Sequence, residues 1–185
     1  MMRSLAAVVL TLVNFYGLAL AQPLRAEEGT HVIAQTAQSG LDNQAVADVY
    51  AITSQFERIL VLRFKYQTDL LVGLEDMVRK EKIQNAVILA GIGSVRAYHF
   101  HVVSNRTLPA ANAFIRDTMA SADIASLSGY IVDGRVHAHI VLSDAGKAFG
   151  GHLEQGTRVF TFAIVTLGVF KEGANLRRID DQTYR

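Results

Sequence analysis

The chain has 185 residues, 18 basic and 17 acidic, with half of them apolar and no cysteine. A net charge of +1, with no lysine or arginine cluster beyond Arg177-Arg178, argues against a protein that neutralises nucleic-acid phosphates, and the missing cysteine excludes disulfide staples and thiol chemistry. Stability then has to come from an apolar core, from oligomerisation or from a bound metal.

At the start, Arg3 precedes the apolar run Leu5 to Val13, Phe15 to Leu20 extends it, and Ala19-Leu20-Ala21 stands before Gln22-Pro23. That order predicts a secretory signal peptide over 1–21, cleaved after Ala21. Asn14 and Gly17 interrupt the run, against the reading of an uncleaved spanning helix of about 20 apolar residues. Cleavage removes Arg3 and leaves 17 basic against 17 acidic residues. The expected location is secreted or periplasmic, with no membrane contact after cleavage.

Residues 22–54 are small and polar, suited to an arm or linker. A domain is expected over 55–172, with a tail over 173–185. Arg58 to Phe64 reads as a strand. Thr68-Asp69 offers a helix cap before Leu70, Leu71, Leu74, Met77 and Val78 at helical spacing, with Arg79, Lys80 and Lys82 at the cation-favouring end. Ala86 to Ala90 is a buried-looking run, Gly91-Ile92-Gly93-Ser94 a turn or bulge, and Val95 to Val103 a second strand. A weak helical stretch is expected near Ala113 to Met119. Asp123 to Val132 and Arg135 to Ser143 flank Asp133-Gly134, a hairpin signal. Gly146 to Gly156 is punctuated by glycine, and Thr157 to Phe170 is a long last strand. The fold class is α+β, dominated by strands.

His137 and His139 lie two apart in one strand, so both rings leave the same face. His152 follows the Gly150-Gly151 bend, where glycine permits close backbone approach. Three imidazoles so delivered suit a zinc-like ion with one position left open; histidines on the solvated face of a strand are the alternative. Asp123, Glu154 and Asp144 are the candidate acceptors for the far ring nitrogens. The second pair, His99 and His101, has no third histidine near it in sequence and reads as a surface or subunit-contact patch. Gly91-Ile92-Gly93 lacks the third glycine and the helix of a dinucleotide fingerprint, and neither a Gly-x-Ser-x-Gly elbow nor a Gly-Lys-Ser/Thr loop is present.

Four segments in order, Gly91-Ile92-Gly93-Ser94, Asp123 to Gly129, His137-Ala138-His139 and Gly150-Gly151-His152-Leu153-Glu154-Gln155-Gly156, resemble the PPC (plant and prokaryote conserved) domain family from about Phe56 to Phe170. The resemblance implies a central, mainly antiparallel β-sheet with few helices, assembled as a homotrimer, and structural glycines at Gly91, Gly93, Gly129, Gly150, Gly151 and Gly156. The fold is also similar to acetolactate decarboxylase, whose zinc is held by a His-x-His pair and a later histidine, and this strengthens the expectation of a divalent metal, zinc-like, on His137, His139 and His152. A small carboxylate or carbonyl ligand at the open position is the companion expectation, with a non-catalytic protein-interaction module as the alternative. Plant members carry AT-hook segments ahead of this domain. This chain has none, so direct nucleic-acid binding is not expected, and a DNA-binding function would rest on the family label alone.

Overall fold

The structure is a computed structural model that describes residue 47 and residues 49–180. The expected signal peptide and most of the expected arm lie outside the described residues. Seven strands and one α-helix follow in the order β1 (Phe56–Lys65), α1 (Leu70–Lys80), β2 (Ala86–Val103), β3 (Asn112–Asp117), β4 (Ala122–Val132), β5 (Arg135–Ser143), β6 (Ala148–Leu153) and β7 (Arg158–Phe170), with a 3-10 helix at Arg177–Asp180. All pairings between them are antiparallel. The class is α+β, as expected.

The helix forms where the spacing places it. Asp69 accepts the Val72 N–H at 3.2 Å as its N-cap, and Leu70, Leu74 and Val78, one turn apart, are buried against the sheet. In the strands, alternate side chains go inward: Leu62 and Phe64 from β1, and Val159, Ala163, Val165, Leu167 and Val169 from β7. Asp133 and Gly134 have φ of 50° and 74°, the two positive values that a two-residue hairpin turn needs, and Val132 pairs with Arg135 across it.

Of the two readings of Gly91 to Ser94, turn or bulge, the bulge is the one found, and the expected helical stretch is corrected. Gly91 to Ser94 does not end a strand, because β2 runs unbroken for 18 residues. Its register shifts between Ile88 and Ala90 and again around Gly93 to Ala97, so bulges bend it without stopping it. The stretch from Ala113 is not helical either. Asn112–Asp117 is strand β3, paired along its length with Val103 to Tyr98 of β2, and the backbone pairing offered by the projecting end of β2 outweighs a weak helical pattern.

The sheet order is β1-β7-β2-β4-β5-β6, and β6 also pairs with the far half of β2. The first half of β2 pairs with β4. The circuit β2-β4-β5-β6 therefore closes on itself, and this closure positions the site. Beyond β7, Leu176 is buried, Asn85 Nδ2 donates to the Ala174 carbonyl at 2.8 Å, and Arg177 pairs with Asp133 at 2.7 Å. Among the described residues no helix is long and apolar enough to cross a membrane.

Candidate metal centre

At the closure, His152 of β6 is paired with His101 of β2 on one side and with His139 of β5 on the other. Residues directly opposite across antiparallel strands project from the same face, so three imidazoles stand in a row across three strands, with His137 one step further along β5. Ring centroids lie 4.5 Å apart for His101 and His152, which are stacked, 4.8 Å for His137 and His152, 5.4 Å for His139 and His152, and 5.5 Å for His137 and His139. The structure thus gathers His137, His139 and His152, and adds His101.

Gly150 and Gly151 permit this, as strand residues and not as the expected bend. A Cβ on Gly150 would stand 1.9 Å from the Ile140 carbonyl oxygen, and one on Gly151 2.3 Å from the His101 carbonyl oxygen. Any side chain at either position would push β6 away from a neighbour and spread the rings.

Glu154, two residues past His152, accepts the His101 Nδ1–H at 2.6 Å. Its Oε1 lies 3.6 Å from His152 Nδ1, too far for a hydrogen bond, and that nitrogen is buried with no hydrogen-bond partner. His101, His152 and Glu154 each offer a donor atom within 4.8 Å of the others, the geometry of a group able to hold a metal ion. Burial, followed by the positive charge its neighbours His101, His137 and His139 would carry, pushes the His152 pKa down against the opposing pull of Glu154. Burial, then His137 and His101, does the same to His139. Both rings are therefore held neutral, the form in which imidazole is a ligand. An unpartnered buried nitrogen, neutral imidazoles and one carboxylate, with no thiolate in the chain, fit an ion of the zinc group.

The expected surface pair divides. His99 Nδ1 bonds to the Gln155 carbonyl at 2.7 Å, whereas His101 belongs to the cluster, with Phe114 packed on its ring at 5.2 Å. Of the expected acceptors, Glu154 is at the site. Asp144 instead accepts the Gly146 and Lys147 N–H groups at 2.8 and 2.9 Å, which hold its carboxyl below the usual range, and with Asp123 it lines a separate cleft that includes Ser94 and Thr161.

The histidines form one wall of a cleft of about 890 Å³. Val102, Val103, Leu108, Pro109 and Ala110, from the β2–β3 connection and its approach, line the rest with Asn112 and Gly151.

The model of the Plants and Prokaryotes Conserved (PCC) domain matches residues 51–171. The bifunctional protein GlmU of Synechococcus sp. (strain JA-3-3Ab) is 31% identical over 129 residues, which are 68% of this chain and 19% of that protein. The chain spans about a fifth of the length of the curated relatives it matches. Among solved structures, a metal-containing protein of Archaeoglobus fulgidus superposes with a TM-score of 0.59 at 24% identity, over 73% of this chain and 95% of that one. A plant- and prokaryote-conserved protein of Pyrococcus horikoshii gives 0.55 at 26% identity, over 66% and 85%. Acetolactate decarboxylase of Bacillus subtilis is a fainter likeness, 0.44 at 14% identity over 63% and 53%.

Proposed function

This chain belongs to the Plants and Prokaryotes Conserved domain family, and on that premise we propose that it is an exported, homotrimeric domain holding a divalent, zinc-like ion in the histidine cleft, where a small carboxylate or carbonyl ligand binds. The observation that carries the metal is the His152 Nδ1 atom, buried without a hydrogen-bond partner amid three other imidazoles and a carboxylate. A polar atom so placed costs roughly 1–3 kcal/mol when nothing satisfies it, and a cation satisfies it.

His152 is the pivot of the proposed ligand set, with His101 and Glu154 as its nearest donors and His137 and His139 facing it from β5. The Glu154 carboxylate holds the His101 proton on Nδ1, which leaves the lone pair on Nε2. A bound ion at such a site supplies Lewis-acid polarisation of an oxygen ligand or a lowered pKa for a bound water.

Elemental analysis of the protein purified without chelators, followed by calorimetric titration of the stripped protein with zinc, tests the proposal. One ion per chain in the unmodified protein, lost in His152→Ala, is the expected result.

Export rests on the N-terminal residue order described above. Trimer formation is supported by the outer face of β1, β7 and β2, where Val61, Phe162 and Ile92 stand exposed on neighbouring strands beside Ile59 and Phe160. Exposed apolar side chains gathered on one sheet face, with Arg63 lying over Phe162 among them, suit a contact surface. The same face favours a second reading, a non-catalytic interaction module, in which the histidines only pack against one another. Absence of any bound metal would leave that reading in place.

A further inference from the structure

The cleft has two chemically different walls. On one side stand the imidazoles of His101, His137, His139 and His152. On the other, Val102, Val103, Leu108, Pro109 and Ala110 present a run of aliphatic surface, with Val103 and Leu108 among the exposed apolar residues. No lysine, arginine or carboxylate is among the described residues lining it, and Asn112 is the one polar side chain there besides the histidines.

This lining selects by chemistry. A phosphate or a sulfate needs several cationic or N–H donors, and this wall supplies none beyond the ring nitrogens. A sugar needs many polar partners, and the aliphatic wall would strip its hydroxyls of water without replacing the hydrogen bonds. A dicarboxylate would press its second charge onto the apolar side. A single oxygen anion at the histidine wall, attached to a short aliphatic body, leaves no group unmatched. The cleft volume of about 890 Å³ admits such a molecule with room to spare.

We propose that the cleft binds aliphatic monocarboxylates, with the carboxylate at the histidine wall and the alkyl body against Val102, Val103, Leu108, Pro109 and Ala110, so that the segment joining β2 to β3 sets the specificity. This rests on the metal reading above: the bound ion provides the positive charge that draws the anion.

The test is calorimetry of acetate, butyrate and hexanoate on zinc-loaded protein whose metal content has first been measured. Affinity is expected to rise about twofold to fourfold per added methylene, the upper figure for full burial. Leu108→Asn together with Val103→Thr, both at exposed positions, should flatten this rise while leaving zinc content unchanged. A flat series in the unmodified protein, a rise that survives the double substitution, or equal binding after the metal is stripped would each overturn the proposal. Failure of the metal reading shows itself separately, as protein that takes up no zinc at all.

Discussion

His101 and His152 face each other directly across the junction of β2 and β6, with their rings 4.5 Å apart and 18° from parallel. That junction comprises only two residue pairs, Phe100 with Leu153 and His101 with His152, yet it closes the sheet circuit. Each pair goes as a whole to one side of the sheet. Phe100 and Leu153 are buried in the core, while the histidines go to the cleft, so the same short contact holds the fold shut and assembles the candidate centre.

Because His152 touches three other imidazoles, its replacement by alanine should abolish stoichiometric zinc binding. The ring is partly exposed, so the fold should survive, with stability lowered by about 1–2 kcal/mol and circular dichroism unchanged. His99→Ala should keep one zinc per chain, since His99 Nδ1 is engaged by the Gln155 carbonyl. Loss of metal from both variants to the same extent would disqualify His152 as the pivot.

Glu154→Gln keeps the size and a hydrogen-bond acceptor but removes the charge beside His101 and His152. If the carboxylate orients His101, zinc affinity should fall about 10-fold to 100-fold with stoichiometry intact. An unchanged isotherm would remove Glu154 from the site.

How far the sequence discloses this arrangement depends on the range of the contacts involved. The Asp133-Gly134 turn and helix α1 are legible because their determinants, two positive φ angles and a one-turn repeat behind Asp69, lie within a few residues. The shared face of His137 and His139 is legible for the same reason, as the period of a strand is two. His101 is not, because its place beside His152 depends on β6 pairing with β2 as well as β5, and neither strand carries a local mark of that choice. Strand β3 escapes notice likewise: Asn112–Asp117 is almost wholly exposed, so no alternation of apolar and polar residues records its pairing with β2.

Acid should loosen the metal-free protein. The folded-state pKa values of His139 and His152 are lowered, so in mild acid the unfolded chain binds protons that the native chain refuses. Above the ordinary histidine value of about 6.5 both states are neutral and nothing is lost; stability should decline as pH falls below that value and level off once the native rings also protonate. Zinc affinity should fall over the same range. Urea denaturation at pH 7.5 and 5.5 checks the sign, and greater stability at the lower pH would contradict it. In His152→Ala the decline should be shallower.

If the outer face of β1, β7 and β2 is the trimer contact, a charge placed in it should dissociate the assembly without unfolding the chain. Ile92→Lys and Val61→Asp both alter exposed positions. Light scattering should report three copies for the unmodified protein and one for the variants at micromolar concentration, with melting still cooperative. A stable monomer before any substitution would end the trimer proposal.

The closest test of the architecture is at Gly150. An added Cβ there would meet the Ile140 carbonyl oxygen at 1.9 Å, its carbon at 2.9 Å and Val141 Cα at 3.0 Å, all backbone of the paired strand, so no side chain can swing aside to make room. Strand β6 must shift off β5, and because it is also paired with β2 the shift strains both junctions. Gly150→Ala should therefore cost about 1–3 kcal/mol, read as a lower melting temperature. It should also weaken zinc binding although no ligand has been touched, because His152 rides on the same short strand. Gly146→Ala serves as the control, since the nearest atom to its added Cβ is Asp144 Oδ1 at 3.6 Å, an ordinary contact. Its melting temperature and zinc affinity should match those of the unmodified protein. If Gly150→Ala melts and binds zinc like the control, then β6 is not pressed between β2 and β5 as described, and the row of imidazoles that depends on that closeness fails with it.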